Sequence, residues 1–468
     1  MKEIMMTDLA ILPVAIIGAG PVGLAAAANL IERGIPVKVY EAGATVGANI
    51  LDWKHVRIFT TWEQSVDPAS RRLLEMSGWS LPQREVLPTG AALFDQYLRP
   101  LALMPDLATH IETKAKVAAI TRLGIDKVTS SGREARPFRL QIETGAGAVR
   151  QDLARAVIDA SGTWTHQNPL GGSGLPVPGE AEQTGRIAYG LPEVLGAAKE
   201  LYAGKRIAVV GSGYSAINVL LDLSELAETA PATSITWVIR GSNLARIYGG
   251  GKADQLPARG ALGWHLKQRV DQNRITLVSG FSTEAVTSTR DGLLLEGETG
   301  SGMRPIGPVD RIIVATGQRP DLTMTRELRL ELDPWLESVK ALGPLIDPNL
   351  HSCGSVPPHG HRELAHPEPG FYTIGVKSYG RAPTFLLLTG YEQARSVVAA
   401  IAGDLESADD VQLVLPETGI CSDIAIDDGG CCPAPVAEEA TACCTPSLVA
   451  EPAAQTACCG GTTLSLHR

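Results

Sequence analysis

Two short glycine turns carry the most specific chemistry in this chain of 468 residues. The first is Gly18-Ala19-Gly20-Pro21-Val22-Gly23, placed between the β-rich run Val14 to Ile17 and an Ala-rich helical stretch to Ile31. Gly18 permits a tight turn, Gly20 lets backbone approach a pyrophosphate, and Gly23 lets the helix pack on its strand. The helix start offers unpaired N–H groups and a positive dipole end to phosphate. The next strand, Val37 to Tyr40, ends at Glu41, where a carboxylate accepts hydrogen bonds from both ribose hydroxyls. Strand, turn, helix and acid together read as a dinucleotide site. The plainer alternative is an ordinary glycine-rich turn.

The second turn is Gly211-Ser212-Gly213-Tyr214-Ser215-Ala216, after Ile207 to Val210. Ala216 takes the third glycine's place, where only a small side chain is needed. The following strand, Ile235 to Ile239, ends at Arg240 with no acid in the equivalent position. A 2′-phosphate beside a carboxylate is repelled; beside Arg240 it is attracted by about 4 kcal/mol per charge pair at ~4 Å, before desolvation. Arg also matches phosphate bidentately. The expectation is NADPH rather than NADH, against the alternative that Arg240 is a solvated strand end. Two further small-residue turns, Asp159-Ala160-Ser161-Gly162 and Val314-Ala315-Thr316-Gly317, flank this second unit and imply two chain crossings between domains.

The cysteines form a third pattern. Only Cys353 lies in the body; Cys421, Cys431, Cys432, Cys443, Cys444, Cys458 and Cys459 all follow Asp404. Adjacent pairs close only a small strained ring as disulfides, so Cys431-Cys432, Cys443-Cys444 and Cys458-Cys459 read as paired thiols in a reducing compartment. Soft thiolates on a flexible segment suit thiophilic ions such as As(III), Hg(II), Zn or Cu(I), although the spacing is not that of a zinc finger. The same tail carries the chain's net charge of −10, leaving the body balanced and without the basic excess of a nucleic-acid binder.

The elements that must position these residues alternate strand, turn and helix, which predicts a parallel doubly wound α/β sheet used twice. Gly43 to about Arg155 reads as helices and loops, closed by the strand Ala156 to Asp159. A linker rich in Pro and Gly spans Gly162 to Gly179. Arg311 to Val314 reads as the strand returning to the first domain, and Phe371 to Ile374 with a helix from Thr384 to Ala402 completes the body. Predicted boundaries are 12–184 and 309–403 for the first domain, 185–308 for the inserted second one, and 404–468 for a loosely ordered tail. Ile11 to Leu30 is apolar enough to suggest a membrane helix, but Gly18, Gly20, Pro21 and Gly23 break it. A cytoplasmic protein with no nucleic-acid or membrane partner is expected.

The order of glycine turn with Glu41, small-residue turn, second glycine turn with Arg240, then Ala315-Thr316-Gly317-Gln318-Arg319-Pro320 resembles the two-dinucleotide-binding-domain flavoproteins over residues 12 to 402. That resemblance implies FAD at the first unit and NADPH at the second. It assigns cofactor contacts to Gly18, Gly20, Pro21, Gly23, Glu41, Gly162, Gly211, Gly213, Ala216, Arg240, Thr316 and Gly317. The disulfide-reductase branch carries a redox Cys pair and a Gly-Asp at the ribityl chain. This chain has no Cys-x-x-Cys, and Val376 and Lys377 follow Gly375.

The flavin-containing monooxygenase branch is more similar, through Asn168-Pro169 and Pro176-Val177-Pro178-Gly179. Its fingerprint is matched at Gly185, with Gln183 and Tyr189 in place of the aromatic and the His. Lys377, Ser378, Tyr379 and Arg381 precede a helix and are candidates for stabilising a reduced flavin; the alternative is a simple helix entry capped by Thr384. The Cys-rich end is similar to those of flavoproteins encoded with arsenic-resistance genes, which implies a trivalent arsenical as substrate and Cys431, Cys432, Cys443, Cys444, Cys458 and Cys459 as metalloid ligands. Two other readings stand beside the monooxygenase: a reductase of disulfides or metal ions working through the tail thiols, and a metalloid-binding protein with an incidental flavin unit. His166 reads as a loop residue. Cys353, with Asp347, His351, His359 and His361 nearby, reads as part of a polar surface loop rather than a metal site.

Overall fold

The computed structural model describes residues 9–351, 356–383, 385–411, 413 and 415–416. All of these fall in one compact unit, Met1–Ser422; the remainder, Asp423–Arg468, lies outside the described residues, as do Cys353, Cys421 and the three cysteine pairs.

Two five-stranded parallel sheets organise this unit. The first has the strand order Phe371–Thr373, Ala156–Asp159, Val14–Ile17, Val37–Tyr40, Ile111–Glu112. Val14–Ile17 and Ala156–Asp159 are buried at every position, as expected of central strands covered on both faces. Their register matters for the site. Ile17 pairs with both Tyr40 and Asp159, so the turns that follow leave the sheet side by side at its carboxyl edge. Pro21–Glu32 then packs an Ala-rich face on the sheet, its proline in the first turn where no N–H is needed.

The second sheet has the order Thr276–Val278, Ser234–Val238, Arg206–Val210, Arg311–Val314, Ile187–Tyr189. Val210 pairs with Val238 and with Val314, which again aligns the turns at one edge. The expected doubly wound architecture, with the second domain inserted in the first, is what the chain adopts.

Three readings of the sequence are corrected. Arg311–Val314 does not return the chain to the first domain: it is an interior strand of the second sheet, hydrogen-bonded on both sides, so a boundary at 308 cuts through that domain. The stretch from Gly43 to Arg155 is not only helix and loop. Ala115–Arg122, Phe138–Thr144 and Val149–Ala154 form an antiparallel sheet, and a matching one is built from Ser282–Thr289, Gly292–Thr299 and Gly302–Val309. Finally, the closing helix runs Leu387–Ile401, beginning after Thr384. Among the described residues no helix is long and apolar enough to cross a membrane.

Candidate active site

The carboxyl edge of the first sheet is shaped by close backbone contacts. Gly18 has φ +96°, and a Cβ there would lie 2.7 Å from the Ala160 carbonyl oxygen. A Cβ on Gly23 would lie 2.0 Å from the Gly18 carbonyl oxygen, so helix and turn touch only because no side chain intervenes. Gly20 is different. Nothing lies within 4 Å of where its Cβ would be. Packing within the described residues therefore does not require a glycine there. Glu41 closes the edge, its two carboxylate oxygens accepting from Ala19 N–H at 2.8 Å and Gly43 N–H at 2.7 Å. A carboxylate has about four acceptor positions, so two remain for a ligand.

The second turn repeats this plan. Gly211, at φ +138°, would put a Cβ 2.1 Å from the Ala315 carbonyl oxygen, while Gly213 has nothing within 4 Å. Ala216 is fully buried against the sheet. Arg240 lies two residues past the end of its strand, is exposed, and donates from Nη1 to the Gly172 carbonyl at 2.5 Å. No carboxylate pairs with it among the described residues.

Both helix starts open onto one cleft of ≈ 760 Å³. Gly18, Gly20, Pro21, Glu41, Ser161, Gly162, Val376 and Lys377 line it from the first domain, Tyr214, Ser215 and Asn218 from the second. Aromatic rings form part of the wall: Trp53 and Trp164 stand 6.5 Å apart, and Phe59 meets Tyr214 at 5.0 Å across the domain junction. Trp164 is held by its indole N–H on Asp52 at 2.8 Å. Thr316 and Gly317 are not in the wall. Thr316 instead ties the linker, its hydroxyl donating to the Asn168 carbonyl at 3.0 Å while the Asn168 amide returns a bond to the Thr316 carbonyl at 3.0 Å.

Of the four residues proposed near the flavin ring, only Lys377 reaches the cleft. Its ammonium, 2% exposed, pairs with Asp159 at 2.7 Å and donates to Ser161 Oγ at 3.0 Å. Asp159 is anchored in turn by Ser161 Oγ at 2.7 Å. A lone buried charge is costly, so this pair is what permits a cation in the wall. Ser378 and Tyr379 are fully buried behind the turn, and Arg381 faces outward to Glu337 at 2.7 Å. Tyr40, also in the wall, is pushed far up by burial and by its hydrogen bond to Asp152, so its phenol keeps its proton.

Trp53, Phe59 and Trp164 were not legible as site residues, since none sits in a spaced motif; Asp159 opens a small-residue turn, but nothing in that turn points to its partner Lys377. His166 is half-exposed near Asp321 at 3.6 Å. Among the described residues no group of His, Cys, Asp or Glu is arranged to hold a metal ion. His359 is no surface-loop residue: it is 1% exposed.

The donor set fits FAD on the first domain and a nicotinamide dinucleotide on the second. Each has a glycine with room for a pyrophosphate at a helix start, and the first has an anchored acid at the ribose position. Residues 12–356 match the family described as Pyridine nucleotide-disulphide oxidoreductase. No curated protein sequence matches the chain. Solved structures share the fold. Bacillithiol disulfide reductase Bdr (YpdA) from Bacillus cereus is 18% identical at a TM-score of 0.61, covering 84% of this chain and 99% of that one. The ornithine N-hydroxylase KtzI from Kutzneria sp. 744 is 15% identical at 0.57, covering 84% and 99%. Thioredoxin reductase from T. acidophilum is 14% identical at 0.51, covering 84% and 98%. Reductases and hydroxylases thus lie at similar distances.

Proposed function

Because the chain belongs to the pyridine nucleotide-disulphide oxidoreductase family, and so to the FAD- and NAD(P)-dependent oxidoreductases, we propose that it is an NADPH-dependent FAD monooxygenase. Its substrate is a small soft nucleophile, of which a trivalent arsenical is the foremost candidate. One observation carries this reading: Gly18 and Gly20 of the first turn and Tyr214 and Ser215 of the second line a single cleft, and no cysteine is found in its wall among the described residues. No cysteine precedes Cys353 in the chain, so neither glycine turn nor its sheet supplies a dithiol to take electrons onward.

Each group then has a defined task. Gly18, Gly20, Gly23 and Glu41 would hold the FAD pyrophosphate and ribose; Gly211, Gly213 and Ala216 would hold that of NADPH, with Arg240 on the 2′-phosphate. Bound FAD supplies two-electron acceptance from NADPH and delivery to oxygen. Asp159 and Ser161 hold the Lys377 ammonium in place beside the flavin site. Trp53 and Trp164 give the cleft an aromatic flank on which a planar ring can pack. The paired tail thiols capture and deliver the soft substrate.

The same tail favours a second reading, in which electrons leave FAD through those thiols as in a reductase. The deciding experiment supplies NADPH, methylarsenite and isotopically labelled oxygen. The monooxygenase consumes oxygen with NADPH and places the label in the arsenical product. NADPH oxidation that continues without oxygen, yielding thiols from a disulfide, selects the reductase.

A further inference from the structure

Behind the cleft wall, residues distant in sequence complete one another's hydrogen bonds. Gln393 and Ser378 have no exposure and His359 has 1%. Gly375 N–H donates to Gln393 Oε1 at 2.8 Å, and Ser378 Oγ–H donates to the Gly375 carbonyl at 2.7 Å. The Gln393 amide nitrogen lies 3.0 Å from Ser378 Oγ and 3.2 Å from His359 Nε2. His359 Nδ1 lies 3.1 Å from the Pro357 carbonyl.

Donor and acceptor identity leaves one arrangement. Gly375 N–H needs an acceptor, which fixes Oε1 on that side and turns the amide N–H groups toward Ser378 and His359. His359 Nε2 must therefore be bare, with the proton on Nδ1 facing Pro357. Gly375, at φ +72°, opens the turn Gly375–Tyr379, and Gly375, Val376 and Lys377 all line the cleft. A second proton on His359 would set N–H against N–H. The amide would have to rotate, leaving Gly375 N–H facing a donor.

We propose that Gln393 and His359 are positioning residues: a buried amide–imidazole brace that holds the cofactor-facing turn, and that releases it when His359 takes up a proton. This rests on the FAD site proposed above. The surroundings of His359 favour the neutral ring. Burial lowers its pKa below the ordinary 6.5, against the opposing influence of its hydrogen bond to the Pro357 carbonyl and of Glu363 and Glu392. Both acids are engaged elsewhere, Glu363 with Gly360 N–H at 2.8 Å and Glu392 with Arg395 at 2.6 Å. The Tyr379 ring lies 5.8 Å away, His361 is paired with Asp409 at 2.8 Å, and Lys377 in the same turn is paired with Asp159 at 2.7 Å. With a depressed folded-state pKa, the brace is intact above 6.5 and fails as pH falls through the lower value.

The test is FAD affinity of the full chain by flavin fluorescence across pH 5 to 8, with the visible spectrum of the bound flavin and the melting temperature of the apoprotein as companions. Wild type should lose about tenfold in affinity on the acid side, from one buried hydrogen bond undone. Gln393→Leu should be about tenfold weaker at every pH with a shifted flavin band. His359→Gln keeps an acceptor but cannot be protonated; it should match wild type at pH 8 and show no acid-side loss. Gln393→Leu with wild-type affinity and spectrum overturns the brace, as does His359→Gln with an undiminished acid-side loss. If Gln393→Leu does not fold, His359→Gln decides alone. A wild-type chain that takes up no FAD at any pH instead refutes the site on which the brace rests.

Discussion

The two glycine turns are nearly the same object built twice, and they part company one strand later. In both, the first glycine sits at positive φ against a neighbouring carbonyl, and the middle glycine faces open space. The difference lies at the end of the next strand. Glu41 is locked by two backbone N–H groups at the cleft, whereas Arg240 is exposed and held by a single carbonyl. In the function proposed above, the turn supplies phosphate binding in general, and the charge that follows it distinguishes the cofactors: a fixed acid suits ribose hydroxyls, an exposed cation suits a 2′-phosphate.

The largest effects are expected at the glycines that pack against backbone. Gly23→Ala and Gly211→Ala would each press a methyl to about 2 Å from a carbonyl oxygen, at a cost of roughly 1–3 kcal/mol or more. Gly23→Ala should purify without FAD, and Gly211→Ala should retain FAD yet fail to be reduced by NADPH; both show in the visible spectrum and in melting temperature. The middle glycines should behave differently. Gly20→Ala and Gly213→Ala meet nothing in the protein, so stability should change by under about 0.5 kcal/mol. FAD affinity should nonetheless fall at least tenfold in the first variant and NADPH affinity in the second. A variant that keeps both properties would show that no phosphate approaches there.

Smaller effects test the strand ends. Glu41→Gln leaves one backbone N–H facing an amide group instead of an oxygen, and about 1–2 kcal/mol of FAD affinity should be lost in a fluorescence titration. Arg240→Ala should have the smallest effect: NADPH over NADH preference in kcat/KM should drop about three- to tenfold, and added salt should diminish the wild-type preference in the same direction. An unchanged ratio would return Arg240 to a solvated strand end.

What the sequence disclosed follows from how local each feature is. Val14–Ile17, Val37–Tyr40 and Ala156–Asp159 were legible because central parallel strands are short apolar runs bounded by small residues. The glycine turns were legible because their geometry is fixed within six residues. Arg311–Val314 was misassigned because which sheet a strand joins is set by partners more than a hundred residues away. The antiparallel sheet from Ala115 was missed although inward and outward positions roughly alternate along its first strand, since the charged Arg122 takes an inward position and an irregularity between Val117 and Ala119 interrupts the alternation. The Lys377–Asp159 pair and the Gln393–His359 brace join residues that no spacing rule connects.

If both nucleotides meet in the one cleft, electrons pass directly from one to the other. Anaerobic titration of the FAD-loaded chain with NADPH tests it most directly. Loss of the oxidised flavin's visible band at one NADPH per flavin is the predicted result. A flavin that stays oxidised under excess NADPH, although NADPH binds, would contradict it.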